Sequence, residues 1–374
     1  MSTRKRPVTT YLLFPFSMIY LAATGIRNLM FDWGILLSKE YNLPVISVGN
    51  ITVGGTGKTP HVEYLVELLR SDYKLACLSR GYRRKTRQFI IADDQSTTRM
   101  IGDEPTQYKH KFPDMTVAVD RRRTNGIEQL LKLSPPIDVI LLDDAFQHRY
   151  VNPGKSILLM EYNRLITDDL LLPAGRLRES VRAKKRADII LVTKSPRRLK
   201  PLEMRSIAKK VGLDLRQHLF FTTIEYQEIQ PVFDDLAGKE MAFFREQKAP
   251  VVLLTGIANP RPMRTFARRI STRIHEIRFP DHHHYSEKDL HTIEAKAKET
   301  GHADALVLTT EKDAMKLREM EVPETLKQNL YYVPIRVVFM DEGQEKEFNQ
   351  IILNYVRSNQ RNNILHQGTD HHSA

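Results

Sequence analysis

Short apolar runs alternate with longer amphipathic segments along most of the chain. From Val45 onward, each apolar run lacks the polar alternation of a half-exposed strand, and the segment after it has helical spacing. Such runs are typical of strands buried on both faces. We therefore predict an α/β fold, a mostly parallel sheet with helices on both faces. The predicted strands are Val45–Val48, Leu75–Ser79, Thr116–Val119, Val139–Leu142, Ile157–Met160 and Ile189–Val192, and helices are predicted to begin near Lys58, Asp103, Thr124 and Pro201.

The N-terminal segment is apolar but short for a membrane span. Tyr11–Ile26 carries almost no charge, yet it is shorter than the roughly 20 residues of a transmembrane helix, and Pro15 is predicted to interrupt it. Arg4–Arg6 precede it, so it also resembles a secretory signal peptide. The apolar stripe of an amphipathic helix is predicted to continue through Ile26, Met30, Trp33 and Leu37.

A basic amphipathic helix with aromatic residues is typical of a segment that lies in a membrane interface. The alternative is a helix that covers the protein's own core. We favour membrane contact. Secretion is disfavoured by the glycine-rich stretch described next, because the ligand that we expect for it, ATP, is a cytoplasmic substrate.

The stretch PVISVGNITVGGTGKTP, residues 44–60, joins the first predicted strand to the first predicted helix. Its glycines allow backbone N–H groups to face phosphates, its lysine can reach the β/γ-phosphates, and its last threonine can ligate Mg²⁺. The usual motif begins with glycine where Thr52 stands, and an ordinary glycine turn is the alternative. The predicted nucleotide-binding residues are Thr52, Val53, Gly54, Gly55, Thr56, Gly57, Lys58 and Thr59.

Polar residues that follow other strands are further candidates, because ligands bind at the carboxyl ends of parallel strands. Asp143-Asp144 ends an apolar strand, as in a Walker B motif whose carboxylate holds Mg²⁺; a turn or cap is the alternative. Gly102–Pro105 opens a predicted helix, where its acids could simply complement the helix dipole. Leu172–Glu179 carries arginines that could clamp an anion or lie solvated.

The pattern changes around residues 222–231, and a second, smaller α/β unit is predicted from apolar runs at Val251–Leu254 and Ala305–Leu308. Between these runs lie three consecutive histidines, 282–284. Adjacent side chains point in different directions, so a zinc site is disfavoured, and a histidine paired with a carboxylate for acid–base chemistry is favoured. The predicted parts are an N-terminal amphipathic, membrane-associated segment (1–40), a P-loop core domain (41–225), a smaller α/β domain (226–358) and a disordered tail (359–374).

The formal net charge is +12. This excess indicates an anionic partner, such as nucleic acid, anionic lipid or a phosphorylated substrate, although any single cluster could be a solvated face. No zinc-finger or RNP signature is present in the sequence, which disfavours nucleic acid. Cys77 is the single cysteine, which excludes an intramolecular disulfide and fits a reducing compartment. The basic clusters are Arg80–Arg87, Arg121–Arg123, Arg176–Arg186 and Lys194–Lys200.

Seven motifs together resemble the tetraacyldisaccharide 4'-kinases, the lipid A kinases, in order and spacing. The resemblance extends from the N-terminal apolar segment to about Val337. The family loop commonly has threonine at the position of Thr52. Two departures are Arg83-Arg84, where a glycine-containing turn is common, and Ala145, where glycine is usual. The motifs are VGNITVGGTGKTP, SRGYRRK, GDEP, DDAFQH, LPAGRLRE, FPDHHHY and TTEKDAMKL.

The resemblance implies transfer of the γ-phosphate of ATP to the 4'-hydroxyl of a tetraacyldisaccharide 1-phosphate, in lipopolysaccharide biosynthesis. It implies a Mg²⁺-dependent, peripheral enzyme on the cytoplasmic face of the bacterial inner membrane. Its partners would be ATP, the acylated disaccharide-phosphate lipid and an anionic membrane surface, with no nucleic acid.

By motif position, Asp103 is the expected catalytic base, and His282 from the second unit orients or tunes it. The expected metal-associated residues are Thr59, Glu104 and Asp144, with Asp143 in support. Secondary candidates for substrate or phosphate contacts are Arg123, Gln147, His148 and Arg178.

Two other function classes stay open at this point. A P-loop GTPase or ATPase that acts as a switch or metal chaperone would share the glycine loop and the acidic strand end. The sequence has no N-K-x-D tetrad for guanine, which weighs against a GTPase. A basic membrane- or nucleic-acid-binding protein with a relic nucleotide fold would show no turnover.

Overall fold

Two sheets organise the chain in the computed structural model, which describes residues 8–233, 235–236 and 238–369. Arg4–Arg6 and the last part of the predicted tail, 370–374, lie outside the described residues, as do Asp234 and Ala237. The strands are β1 (Val45–Gly49), β2 (Leu75–Ser79), β3 (Ile90–Ile91), β4 (Thr116–Val119), β5 (Val139–Asp143), β6 (Lys155–Glu161), β7 (Ile189–Thr193), β8 (His218–Tyr226), β9 (Gln230–Pro231), β10 (Val251–Thr255), β11 (Ile274–Arg278), β12 (Leu306–Thr310), β13 (Leu330–Val333) and β14 (Ile335–Phe339).

The helices lie on both faces of these sheets. Two short 3₁₀ helices, Ile166–Asp168 and Val181–Arg186, lie between β6 and β7. The α-helices are α1 (Val8–Asp32), α2 (Lys58–Leu69), α3 (Thr98–Ile101), α4 (Asp103–Lys111), α5 (Arg123–Leu130), α6 (Pro201–Val211), α7 (Met241–Glu246), α8 (Arg261–Ala267), α9 (Glu287–Glu299), α10 (Glu311–Arg318), α11 (Glu324–Lys327) and α12 (Glu342–Thr369).

Within the described ranges, the larger sheet has nine strands in the order β14-β8-β7-β6-β1-β5-β2-β4-β3. All neighbours from β8 to β4 run parallel, and only the outermost pairs, β14 with β8 and β3 with β4, are antiparallel. The first strand therefore lies in the middle, buried along its whole length. The predicted mostly parallel sheet is confirmed, and its carboxyl edge gathers the loops after β1, β2, β4 and β5.

The smaller sheet has the order β11-β10-β12-β13-β9, and in the described chain it is parallel except for β9. Two apolar cores cover its faces, one around Leu253 and Phe244 and the other around Leu254 and Leu290. It lies beside the larger sheet, and side chains at its carboxyl edge contact α4.

The chain returns to the larger sheet after β13. Strand β14 pairs with β8, and α12 packs Phe348, Ile352 and Val356 into the core of the larger sheet. The predicted domain 226–358 therefore differs from the described structure at its end, because Pro334 separates two strands that belong to different sheets. Helix α12 continues to Thr369, past residue 359, where the predicted tail begins.

Helix α1 corrects two expectations about the N-terminus. It continues through Pro15 for 25 residues, because contacts from Ser17 and Tyr20 to the protein hold the next turns in place. It ends at Asp32, so Trp33 and Leu37 do not lie on its stripe. By length and composition alone it could cross a membrane, and little of its apolar surface is buried.

Replacing Phe348 with alanine is expected to lower the free energy of unfolding by about 3–5 kcal/mol. The ring is buried against Tyr64, Phe220 and Phe339, so its loss leaves a cavity between α12 and the larger sheet. Chemical denaturation measures the change. The matched control is Arg357→Ala, an exposed position on the same helix, and equal effects of the two changes would contradict the packing.

Candidate active site

The glycine loop connects the central strand β1 to α2 in the way that phosphate binding requires. Gly57 precedes α2 with a φ of 89°, which glycine adopts without steric cost. Asn50 Nδ2 donates to Thr56 Oγ1 at 2.7 Å, and Thr193 Oγ1 donates to the Thr56 carbonyl at 2.8 Å. The loop is therefore held by its surroundings, while Lys58 and Thr59, half-buried, open the helix.

Thr52 has a structural reason to differ from glycine. It is buried and forms an antiparallel bridge with Leu177, and its φ is not positive. Next to it, the Val53 N–H donates to the Arg176 carbonyl at 2.8 Å. Because the backbone of Thr52 is extended, this position does not require glycine. Ala145 likewise has no positive φ, so alanine is compatible with the backbone after the acidic pair.

Asp144 lies between two cations at the edge of the sheet. Lys58 Nζ is 3.6 Å and Arg178 Nη2 is 2.9 Å from Asp144 Oδ1. Burial alone would raise the pKa of Asp144, but the Lys58 and Arg178 charges lower it to about 2. Arg178 also donates to the Asn50 carbonyl at 3.0 Å. The predicted phosphate lysine, metal carboxylate and anion clamp are therefore brought together.

Asp143 is the buried member of the acidic pair. Its Oδ2 accepts from Ser79 Oγ at 3.3 Å, and its Oδ1 is buried without a partner in the described chain. Burial, and next the charge of Asp144, raises the pKa of Asp143 to about 7. An unpartnered oxygen beside a second carboxylate is a site where a cation would be stabilised.

Arg123 lies beneath this acidic strand end and does not face solvent. It is 1% exposed, and its guanidinium donates to the carbonyls of Asp120 at 2.7 Å and Asp143 at 3.1 Å. The structure thus places Arg123 as a support for the acidic loop. Arg123 was predicted to contact the substrate or a phosphate. From this buried position it would influence a ligand only by holding the acidic loop in place.

Asp103 and His282 meet across the two sheets. His282 Nδ1 is 3.0 Å from Asp103 Oδ2, and both side chains are largely buried. Lys312 Nζ lies 3.1 Å from the other ring nitrogen, Nε2. An ammonium can only donate, so Nε2 accepts and the Nδ1–H donates to Asp103. His282 is therefore held as the neutral Nδ1–H tautomer.

Two lysines of α10 complete the surroundings of Asp103. Lys316 Nζ is 3.2 Å from Asp103 Oδ2 and is almost fully buried, and Lys312 Nζ is 3.0 Å from Glu104 Oε1. Burial would raise the pKa of Asp103, but the His282 hydrogen bond and the charges of these lysines lower it to about 2. Asp103 is thus ionised at neutral pH.

The sequence analysis assigned no role to the two lysines of the motif TTEKDAMKL, Lys312 and Lys316. Their i, i+4 spacing after a strand end places both on one helix face, and this spacing could have indicated a shared role. The same contact explains Glu104, which binds Lys312 here and does not join the Asp143–Asp144 pair, although its charge is near enough to help raise the pKa of Asp143.

Gln147 and His148 lie behind the glycine loop. Gln147 Nε2 donates to the Asn50 carbonyl at 2.6 Å. His148 is half-buried, and its Nε2 has no partner in the described chain. Burial, followed by the charge of Arg123, lowers the pKa of His148 to about 4, so the ring is neutral.

Helix α1 contacts this side of the site directly. Tyr20 Oη donates to the Arg178 carbonyl at 3.0 Å, Ser17 Oγ donates to the Leu171 carbonyl at 3.0 Å, and Arg27 donates to the Gln147 carbonyl at 3.0 Å. The apolar N-terminal helix is therefore attached to the loops that carry two predicted site residues.

The three histidines turn to different partners. His282 binds Asp103, while His283 Nε2 lies 3.1 Å from Asp289 and its ring stacks on Phe279. His284 is exposed. They do not converge on one point. Cys77 is fully buried, and burial raises the pKa of its thiol.

Comparison with known proteins identifies the family. The family model described as "Tetraacyldisaccharide-1-P 4'-kinase" (LpxK) matches residues 9–357. Proteins named tetraacyldisaccharide 4'-kinase are similar over nearly their whole length. That of Bacteroides thetaiotaomicron is 46% identical and that of Porphyromonas gingivalis 40%; the matches cover 97% and 92% of this chain and 97% of each relative.

A solved structure agrees with this. The crystal structure of LpxK from Aquifex aeolicus in complex with ATP has a TM-score of 0.73 and 28% identity, and the match covers 93% of this chain and 100% of that one. The P-loop-type fold predicted from the sequence is thereby confirmed. The chain belongs to the tetraacyldisaccharide-1-P 4'-kinase family.

Proposed function

We propose that this protein transfers the γ-phosphate of ATP to the 4'-hydroxyl of a tetraacyldisaccharide 1-phosphate, with Mg²⁺, at the cytoplasmic face of a bacterial inner membrane. The observation that carries the proposal is the contact of His282 with Asp103, whose neighbour Gly102 packs on Gly81 just after β2, at the carboxyl edge of the larger sheet that also carries the glycine loop. Family membership and the similarity to an ATP-bound LpxK support it. A switch or chaperone would not require a carboxylate–histidine pair beside the nucleotide.

Phosphoryl transfer depends on positioning and charge neutralisation. The loop's backbone N–H groups and Lys58 would hold the ATP phosphates, and Arg178 lies close enough to Asp144 to contact the same anion. Lys58 already faces Asp144 across 3.6 Å. Arrival of the phosphates would therefore replace a weak ion pair with stronger contacts to both cations.

Asp103 would act as the base. The oxygen of the 4'-hydroxyl would bond to the γ-phosphorus while the bond from that phosphorus to the β-γ bridging oxygen breaks, ADP leaves, and the hydroxyl proton passes to Asp103. The Nδ1–H of His282 orients the carboxylate for this step. Since His282 comes from the second unit, the base is complete only when the two units are docked.

The residues at the strand end fit a Mg²⁺ ion. Asp143 offers an unpartnered buried oxygen, and Asp144 and the Thr59 hydroxyl lie beside the phosphate loop. No cluster of three or more acidic, histidine or cysteine ligands occurs in the described ranges, but Mg²⁺ in kinases usually takes one or two carboxylates with phosphates and water. When bound, it would neutralise charge on the transferred phosphate.

Membrane contact would come from α1. Its outward face carries Leu12, Phe16 and Ile19, each at least 60% exposed and spaced along one side of the helix. Apolar residues at such density are typical of membrane contact. Because the same helix touches Arg178 through Tyr20, a lipid acceptor at the membrane would meet the site.

Replacing Asp103 with asparagine, or His282 with alanine, is expected to lower kcat about 10²–10⁴-fold, with ATP affinity mostly retained. The assay is phosphorylation of disaccharide 1-phosphate in detergent micelles with Mg²⁺-ATP. Asp281→Asn, an exposed neighbour with the same charge change, is the control. A near-normal kcat in Asp103→Asn would refute the assignment of Asp103 as the base. ATP hydrolysis by the wild type without a phosphorylated lipid product would refute the kinase activity.

Substituting asparagine for Asp143 or Asp144 is expected to raise the Mg²⁺ concentration needed for half-maximal rate, and chelation by EDTA should abolish turnover. The control is Asp138→Asn, at the opposite end of the same strand. If the variants and the control required the same Mg²⁺ concentration, the acidic pair would not be the metal site.

Replacing Leu12, Phe16 and Ile19 together with glutamine is expected to shift the protein from the membrane to the soluble fraction. This triple variant is sharper than a deletion of 1–40, which would also remove Ser17 and Tyr20 from the site. Activity on micellar acceptor should persist. The matched control changes the exposed leucines 202 and 215. Membrane retention of the triple variant would assign attachment to the basic clusters.

A further inference from the structure

A basic cleft, lined by Arg83, Lys85, Arg99 and His284, lies beside the catalytic pair. It has a volume of about 190 Å³, which is enough for a phosphate group and several waters at roughly 30 Å³ each. The roles given above do not use it. We propose that this basic cleft binds the 1-phosphate of the acceptor while the 4'-hydroxyl lies at Asp103; this rests on the proposed kinase function.

The arginines and the lysine of the basic cleft form no ion pair with an acid in the described chain. In the part of the chain that the structure describes, the side chains of Lys85, Arg99 and His284 make no hydrogen bond or ion pair. Glu319 is near enough to Arg99 for the two charges to interact. Both of its carboxylate oxygens, however, accept hydrogen bonds from Thr98, one from the N–H and one from the hydroxyl. Unpaired basic groups that converge on one cavity repel each other, and a phosphate dianion would relieve this repulsion.

Arg83 occupies a backbone position that suits glycine. Its φ is 61°, in the left-handed region, which glycine adopts freely and an arginine does not. Strain of this kind is concentrated at functional sites. The strained backbone here holds an exposed guanidinium that lines the cleft and lies against the Tyr82 ring.

The basic cleft and the base are connected through one residue. Arg83 Nη1 donates to the His282 carbonyl at 3.3 Å, while the His282 ring binds Asp103. His282 also has a left-handed φ, of 60°. A phosphate held by Arg83 would therefore be separated from Asp103 by the length of one histidine residue. This arrangement would orient a ligand with a phosphate at one end and a hydroxyl at the other.

ATP does not account for the basic cleft. The ATP phosphates have their own loop after β1, whereas Arg83 follows β2, and β5 lies between these strands. The remaining phosphate in the proposed reaction is the one that the acceptor already carries. Anionic lipid headgroups offer the same chemistry, so the experiment must separate the two sources.

The test compares Arg83→Gly and Arg99→Gln with wild type on two acceptors, the disaccharide with its 1-phosphate and the same lipid without it. Arg83→Gly removes the guanidinium and the backbone strain together, so its melting temperature should not fall. For the 1-phosphate acceptor, KM should rise about 5- to 30-fold in neutral micelles, the range expected for one charged contact. For the dephosphorylated acceptor, and for ATP, KM should stay unchanged.

Arg205→Gln is the matched control, an exposed arginine on α6 without a partner in the described chain, and it should behave as wild type. Equal losses on both acceptors, or no loss, would overturn the proposal. A loss that appears only in micelles with anionic lipid would overturn it in favour of headgroup binding. Absence of turnover in the wild type would instead refute the proposed function, so the two failures are distinguishable.

Discussion

The buried carboxylate of Asp103 is the constraint on which the arrangement of the two units depends. A buried charge is costly unless it is paired and hydrogen-bonded. Asp103 opens α4 in the larger unit, yet the groups that compensate it, His282, Lys312 and Lys316, all come from the smaller one. Separation of the units would leave Asp103 unpaired. The buried charge of Asp103 therefore favours the docked state of the two units.

A second buried cluster fixes the helices that carry the site. Lys111, at the end of α4, is 2.6 Å from Glu63 on α2 and 3.4 Å from Glu311 at the start of α10. Burial, followed by the nearby charge of Glu311, raises the pKa of Glu63, and the charge of Lys111 opposes this shift. Each of these helices carries a candidate site residue at its start. Lys111 thus holds together the helices that begin at the glycine loop, at Asp103 and at Glu311.

Patterns local in sequence were sufficient for much of the fold and part of the site. The apolar runs predicted the strands of the larger sheet because those strands are buried on both faces, and glycines followed by Lys58-Thr59 predicted the loop because its chemistry is contiguous. Strand β14 and helix α12 were not assigned to the larger sheet, since the pairing of β14 with β8 spans more than a hundred residues. Such pairing leaves no local signal.

The same reasoning explains which site residues were missed. Asp103 and His282 were connected only by resemblance, because nothing in their own segments reveals a contact across 179 positions. Lys312 and Lys316 look like solvated helix residues until the fold brings a carboxylate to them. Arg83 looks like one more residue of a basic cluster, and only its backbone φ marks it as different. Charge identifies candidate residues in a sequence, and burial and backbone geometry then distinguish among them.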